Sequence, residues 1–163
     1  MGHPNHMHIH VSIRQQILTF IDAQGVEHRF PVSTAKNGPN QQEGSGGTPL
    51  GKHRIRAKIG ADAPMNAVFV GRRFTGEIYT PSLGAQYPER DWILTRILWL
   101  AGCEPGFNQG GNVDTMRRYI YIHGTPDTEP MGVPLSHGCI RMRNADIAWL
   151  FDEVAPYCPV LIE

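Results

Sequence analysis

Short stretches in which apolar and polar residues alternate dominate this chain. Ile9, Val11 and Ile13 alternate with His10, Ser12 and Arg14, and Ile55, Ala57 and Ile59 alternate with Arg54, Arg56 and Lys58. A repeat of two puts each set on its own face of a strand, so these segments can bury one side only as sheet. The apolar run 17–21, the turn Asp22-Ala23-Gln24-Gly25 and the return 26–32 predict a hairpin. Further strands are expected over 67–70, 117–123 and 160–162. Two helices are expected as well. One opens at Asp91 and carries Ile93, Leu94, Ile97, Leu98 and Ala101 on one face, with Gly102 as its stop. The other is capped by Asn144 and carries Ile147, Leu150, Phe151 and Val154. Strands come in runs, without regular alternation with helices, which predicts a mainly β, α+β domain and argues against a doubly wound nucleotide fold.

At 163 residues, with 40% hydrophobic and 18% charged side chains, the chain can build one core. We expect a tag-like or disordered arm over 1–8 and a single domain over 9–163, monomeric in solution. The balance of 15 basic and 15 acidic residues offers no basic footprint for nucleic acid. No apolar run approaches the roughly 18 residues of a membrane-spanning helix. The start, MGHPNHMHIH, lacks the basic-then-apolar pattern of a secretory signal, so a cytoplasmic location stays open beside export.

Cys103, Cys139 and Cys158 are too few and too unevenly spaced for a disulfide framework or a zinc ribbon. The segment Gly46-Gly-Thr-Pro-Leu-Gly51-Lys52-His53 approaches the phosphate-loop pattern, but His53 replaces the metal-binding hydroxyl and Pro49 removes an N–H from the cradle. It reads as a glycine-rich loop.

Chemistry concentrates in the 25 residues YIYIHGTPDTEPMGVPLSHGCIRMR, from Tyr119 to Arg143. A thiol is a weak nucleophile at neutral pH unless a base or a cation stands near it. In an extended segment His137, Cys139 and Arg141 share one face while Ile140 and Met142 enter the core. His123 closes the preceding strand on the face of Tyr119 and Tyr121. Gly138 allows close approach of a substrate, and the N–H groups of Gly138 and Cys139 are candidate oxyanion donors. The loop from Thr125 to Leu135 is a candidate lid. A zinc site of His123, His137 and Cys139 is a competing reading, although H-x13-H-x-C matches no common zinc spacing.

The segments Ile122-His123-Gly124 and Ser136-His137-Gly138-Cys139-Ile140-Arg141 resemble the catalytic signature of the L,D-transpeptidases, the YkuD-type domain. VSTAKNG (32–38), TPLGKHRI (48–55), the helix expected from Asn144 and the closing PVLI resemble further parts of that family. The resemblance implies a mixed β-sandwich or barrel-like catalytic fold with two packed helices. It implies a Cys139 nucleophile, a His123 general base oriented by the Gly124 carbonyl, and 3→3 cross-linking of peptidoglycan stem peptides through a cysteine thioester with release of D-alanine. His137 and Gly138 would support the reaction, and Ser136, Arg141 and Tyr121 would contact substrate. Acylation by carbapenem-type β-lactams and a place in the periplasm or cell envelope follow as expectations. No step of that chemistry calls for a metal or organic cofactor. An L,D-carboxypeptidase or thiol peptidase, or a non-catalytic wall- or metal-binding module, are the alternatives left open.

Overall fold

A computed structural model describes residues 6–163. Ten strands form one sheet in the order β4-β10-β1-β2-β3-β9-β8-β7-β5-β6, and a further pairing of β4 with β7 closes its first eight members into a barrel. These strands are β1 (His8–Ser12), β2 (Ile17–Ile21), β3 (Glu27–Ser33), β4 (Gly51–Ile59), β7 (Ile93–Gly102), β8 (Tyr121–Thr125), β9 (Ile140–Arg143) and β10 (Pro159–Ile162). The hairpin of β5 (Ala67–Val70) and β6 (Arg73–Ile78) branches from the start of β7. A short helix α1 (Pro81–Gln86) and the helix α2 (Asn144–Glu153) complete the architecture. Among the described residues no helix is long and apolar enough to cross a membrane.

Alternation sorts the side chains into two layers. Ile9, Val11, Leu18, Phe20, Val32, Ile55, Ile122, Ile140, Met142, Val160 and Ile162 point into one core, which Ile147, Leu150 and Phe151 of α2 help to fill. Burying one such side chain is worth about 1.5–3 kcal/mol, so this layer carries the fold. The opposite face of β7 and β8 forms a second, smaller cluster of Ile97 and Tyr121 with Ala67 and Phe69 of the hairpin. Cys139 packs against this outer layer.

The hairpin over 17–32 and the strands over 67–70 and 160–162 form where the alternation places them. Other expectations are corrected. The segment from Asp91 is not a helix: residues 93–102 are β7, paired with β4, β5 and β8. It lies between the two layers and is apolar on both faces, and such a run imitates a buried helix. Asn144 does not cap α2 with its side chain. Arg143 occupies the cap position and Asn144 is the first helical residue, its side chain buried. The strand expected over 117–123 begins only at Tyr121, because Tyr119 sits in a turn with φ +57°. Of the arm expected over 1–8, His8 opens β1 and Met7 packs on the core, while residues 1–5 lie outside the described residues.

Candidate active site

Parallel pairing of β8 with β9 sets His123 opposite Arg141 and Ile122 opposite Ile140. Residues paired across a ladder share a face, and so do residues two apart on one strand. Tyr121, His123, Cys139 and Arg141 therefore project from the outer face, opposite to the core residues Ile122, Ile140 and Met142. Two-residue spacing and strand pairing put these residues on one face, with the Cys139 thiol against the Tyr121 N–H.

Cys139 occupies a tight turn immediately before β9. Gly138 adopts φ +133°, and a methyl group there would press on the Gly47 carbonyl and Ile120. The Ser136 hydroxyl donates to the Cys139 carbonyl and accepts the Gly138 N–H at 3.2 Å. The Thr48 hydroxyl donates to the Gly138 carbonyl at 2.8 Å and accepts the Ala35 N–H at 3.0 Å. The glycine-rich loop thus serves as a buttress for the cysteine turn. Because the Gly138 N–H is already engaged, the expected oxyanion pair is corrected. Within the turn 136–139, the N–H groups of His137 and Cys139 make no hydrogen bond among the described residues.

The thiol receives the Tyr121 N–H at 3.3 Å and donates to the Tyr119 carbonyl at 3.4 Å. Desolvation pushes it up to about 12 and the charge of Asp91 adds to the push, against the Tyr121 N–H and the cations Arg141 and Arg118. His123 is 1% exposed. Its burial holds it below the ordinary histidine range, although Asp91 and the Gly124 carbonyl act the other way. At neutral pH both groups are therefore uncharged. The His123 Nδ1 lies 2.6 Å from the Gly124 carbonyl oxygen. A carbonyl only accepts, so Nδ1 carries the hydrogen and Nε2 keeps its lone pair.

A cavity of about 510 Å³ opens over Cys139, lined by Arg72, Asp91, Arg118, Tyr121 and His137 among others. Arg72 comes from the turn between β5 and β6, so this hairpin faces Cys139 across the cavity. The loop from Thr125 to Leu135, expected as a lid, is tethered at one end, and none of its residues lines the cavity over Cys139. The loop's far end is stitched to the last residues of β3 and to Thr34 by Gly132 N–H to Val32 O, Ser33 Oγ to Val133 O and Ser136 N–H to Thr34 O.

Asp91 is the residue that sequence reasoning misplaced. Its carboxylate sits 3.5 Å from the Arg141 guanidinium and 3.6 Å from the His137 ring. Arg141 is thus largely buried and paired with Asp91. His137 is exposed at the cavity wall. Tyr121 lines the cavity while its hydroxyl accepts from Arg72 at 3.1 Å. Arg72 also lies 4.8 Å over the Trp99 ring and 4.5 Å over that of Tyr119. Arg118 reaches from beside Cys139 into the glycine-rich loop and donates to the carbonyls of Asn40, Gln41 and Gly47. In the sequence, Arg118 is marked only as part of the expected strand 117–123, and nothing marks Arg72. Among the described residues no group of three or more His, Cys, Asp or Glu side chains could hold a metal ion, which leaves the zinc reading without a ligand set.

The family model of the L,D-transpeptidase catalytic domain matches residues 6–162. The "Probable L,D-transpeptidase YbiS" of Escherichia coli is 32% identical over 100 residues, covering 60% of this chain and 32% of YbiS. The "Probable L,D-transpeptidase ErfK/SrfK" of Salmonella typhimurium is 31% identical over 60% of this chain and 31% of its own. The chain thus spans about a third of these relatives' length. The fold superposes on L,D-transpeptidase 3 of Mycobacterium tuberculosis with a TM-score of 0.60 at 18% identity, covering 97% of this chain and 61% of that one. An imipenem complex of the L,D-transpeptidase LdtMt1 gives 0.58 at 20% identity, covering 97% and 59%. A match across nearly the whole described chain, on a barrel of the same build, settles the family: the chain belongs to the L,D-transpeptidases by its catalytic domain.

Proposed function

We propose that this domain forms 3→3 cross-links in peptidoglycan through a thioester on Cys139, with His123 as general base. The observation that carries the reading is that a cavity-facing thiol and a buried imidazole stand on the same sheet face, the ring's Nδ1–H tied to the Gly124 carbonyl. In the first step the thiol proton leaves the Tyr119 carbonyl for His123 Nε2 as sulfur attacks the carbonyl of the third stem residue. The oxyanion is received by the free N–H groups of His137 and Cys139. The C–N bond to D-alanine then breaks, and the proton on His123 passes to the departing amine. An acceptor amine attacks the thioester, gives its proton to His123, and the thiol re-forms. Because both groups start uncharged, proton transfer accompanies attack. Arg72, in the cavity wall, replaces Arg141 as the cation facing a substrate carboxylate.

The substrate places the protein's work in the cell envelope, and the same thiol is open to carbapenems. The structure of LdtMt1 in complex with imipenem supports that second expectation, and L,D-transpeptidase 3 with a faropenem-derived adduct extends it to a penem. Product masses after incubation with a stem tetrapeptide and an amine acceptor test the proposal. A cross-linked dimer with loss of one D-alanine is expected. Hydrolysed tripeptide alone would reassign the domain as an L,D-carboxypeptidase, and no product from an acylation-competent preparation would remove stem peptides as substrate.

A further inference from the structure

The opening of β7 contains an irregularity that the barrel does not need. Leu94 pairs with Gly124 and Ile97 pairs with His123, so two residues, Thr95 and Arg96, are inserted opposite a single peptide link of β8. That link joins His123 to Gly124. Thr95 has φ +75°, a region that a β-branched residue enters only under strain, and it is wholly buried. Strain of this kind persists where surrounding contacts over-determine it, often beside a reactive centre.

The contacts are specific. The Thr95 hydroxyl donates to Asn144 Oδ1 at 2.6 Å and accepts the Asn66 N–H at 3.1 Å. The guanidinium of Arg96 closes the insertion by donating to the Thr95 carbonyl at 2.6 Å and the Ala63 carbonyl at 2.8 Å. Asn144, only 2% exposed, points its Nδ2 at the Thr125 carbonyl and Asn66 Oδ1, both at 2.9 Å, and at Asp127 Oδ1 at 3.2 Å. Gly124 is pressed between Asn144 Oδ1 and the Leu94 carbonyl so closely that no side chain would fit there. The Gly124 carbonyl then has one place to be, and it receives the His123 Nδ1–H. Neither Thr95 nor Asn144 lines the cavity over Cys139.

We infer that Thr95 and Asn144 are positioning residues for His123: together they clamp the peptide after Gly124, so that its carbonyl locks the imidazole in the tautomer with a free Nε2. The inference rests on the reading of His123 as general base. It explains why a strained threonine and a four-way buried amide are built behind that ring. An orienting acceptor works by holding one tautomer and one ring angle, and a misplacement of roughly 1 Å can cost about 100-fold in rate.

The test joins ¹⁵N NMR of the His123 ring at neutral pH with the rate of Cys139 acylation by imipenem, followed by intact mass. The wild-type ring should show a single Nδ1–H tautomer. Asn144→Ala and Thr95→Val should show mixed tautomers and acylate about 100-fold more slowly. Thr95→Ser, which keeps the hydroxyl, should restore most of both signals. Should Asn144→Ala fail to fold, the contrast of Thr95→Val with Thr95→Ser, which differ at the hydroxyl, decides alone. A wild-type tautomer together with acylation within about twofold of wild type in Thr95→Val and any folded Asn144→Ala overturns the inference. Wild-type protein that never acylates at Cys139 would instead overturn the proposed function, while the tautomer comparison still judges the clamp.

Discussion

His123 and Gly124 are neighbours in β8, and the ring of the first donates its Nδ1–H to the carbonyl of the second at 2.6 Å. This local bond leaves Nε2 unprotonated in a ring that burial already keeps neutral.

A pH profile follows from these two facts. Acylation of Cys139 should fall only at acid pH, with a midpoint below the usual histidine value of about 6.5. Since the thiol is pushed up to about 12, no second limb should appear near the ordinary thiol range of about 8.5. Acylation rates from pH 4 to 10 would check this. His123→Gln should lose the acid limb along with a factor of about 100–10,000 in rate.

Asp91 holds both partners upward, raising the thiol and opposing the fall of His123. Asp91→Asn should therefore shift the thiol toward easier ionisation and move the acid limb of acylation lower still. Alkylation of Cys139 by iodoacetamide, followed across pH by peptide mass, should accelerate at a given neutral pH in that variant.

Thr48 joins the glycine-rich loop to the cysteine turn through two hydrogen bonds. Thr48→Val keeps the shape and leaves the Ala35 N–H and the Gly138 carbonyl without partners. A loss of about 1–3 kcal/mol per unsatisfied group is expected in urea unfolding, with slower acylation because the Cys139 turn loosens.

His53 is buried between the Gly51 carbonyl and the Thr115 hydroxyl, and desolvation lowers it to about 4. A depressed histidine is stabilising while the unfolded chain is also neutral, above about pH 6.5. As pH falls from there to about 4 the unfolded state takes up a proton that the folded state refuses, and stability drops by about 3 kcal/mol. Thermal unfolding at pH 7 and pH 4.5 should show this loss, and His53→Gln should flatten it.

Much of this site was legible because its chemistry is local. Cys139, Gly138 and His137 are contiguous, and a two-residue period is enough to align Cys139 with Arg141 and Tyr121 with His123. What escaped depends on long-range geometry. Residues 93–102 read as a helix because a strand buried on both faces loses its alternation, and that error turned Asp91 into a cap instead of the partner of Arg141 and His137. The two-residue insertion at Thr95 has no glycine or proline to announce it. Asn144 stands where a cap is expected, and only the folded arrangement of Thr95, Asn66 and Thr125 gives its amide other work. Arg118, read as part of a strand, instead spans from the thiol to the glycine-rich loop.

The most direct measurement is intact mass and peptide mapping of wild-type protein and Cys139→Ala after incubation with imipenem. We predict one adduct on wild-type protein, mapped to Cys139, and none on the folded variant. An adduct that survives in Cys139→Ala, or that maps to Cys103 or Cys158, would contradict the account.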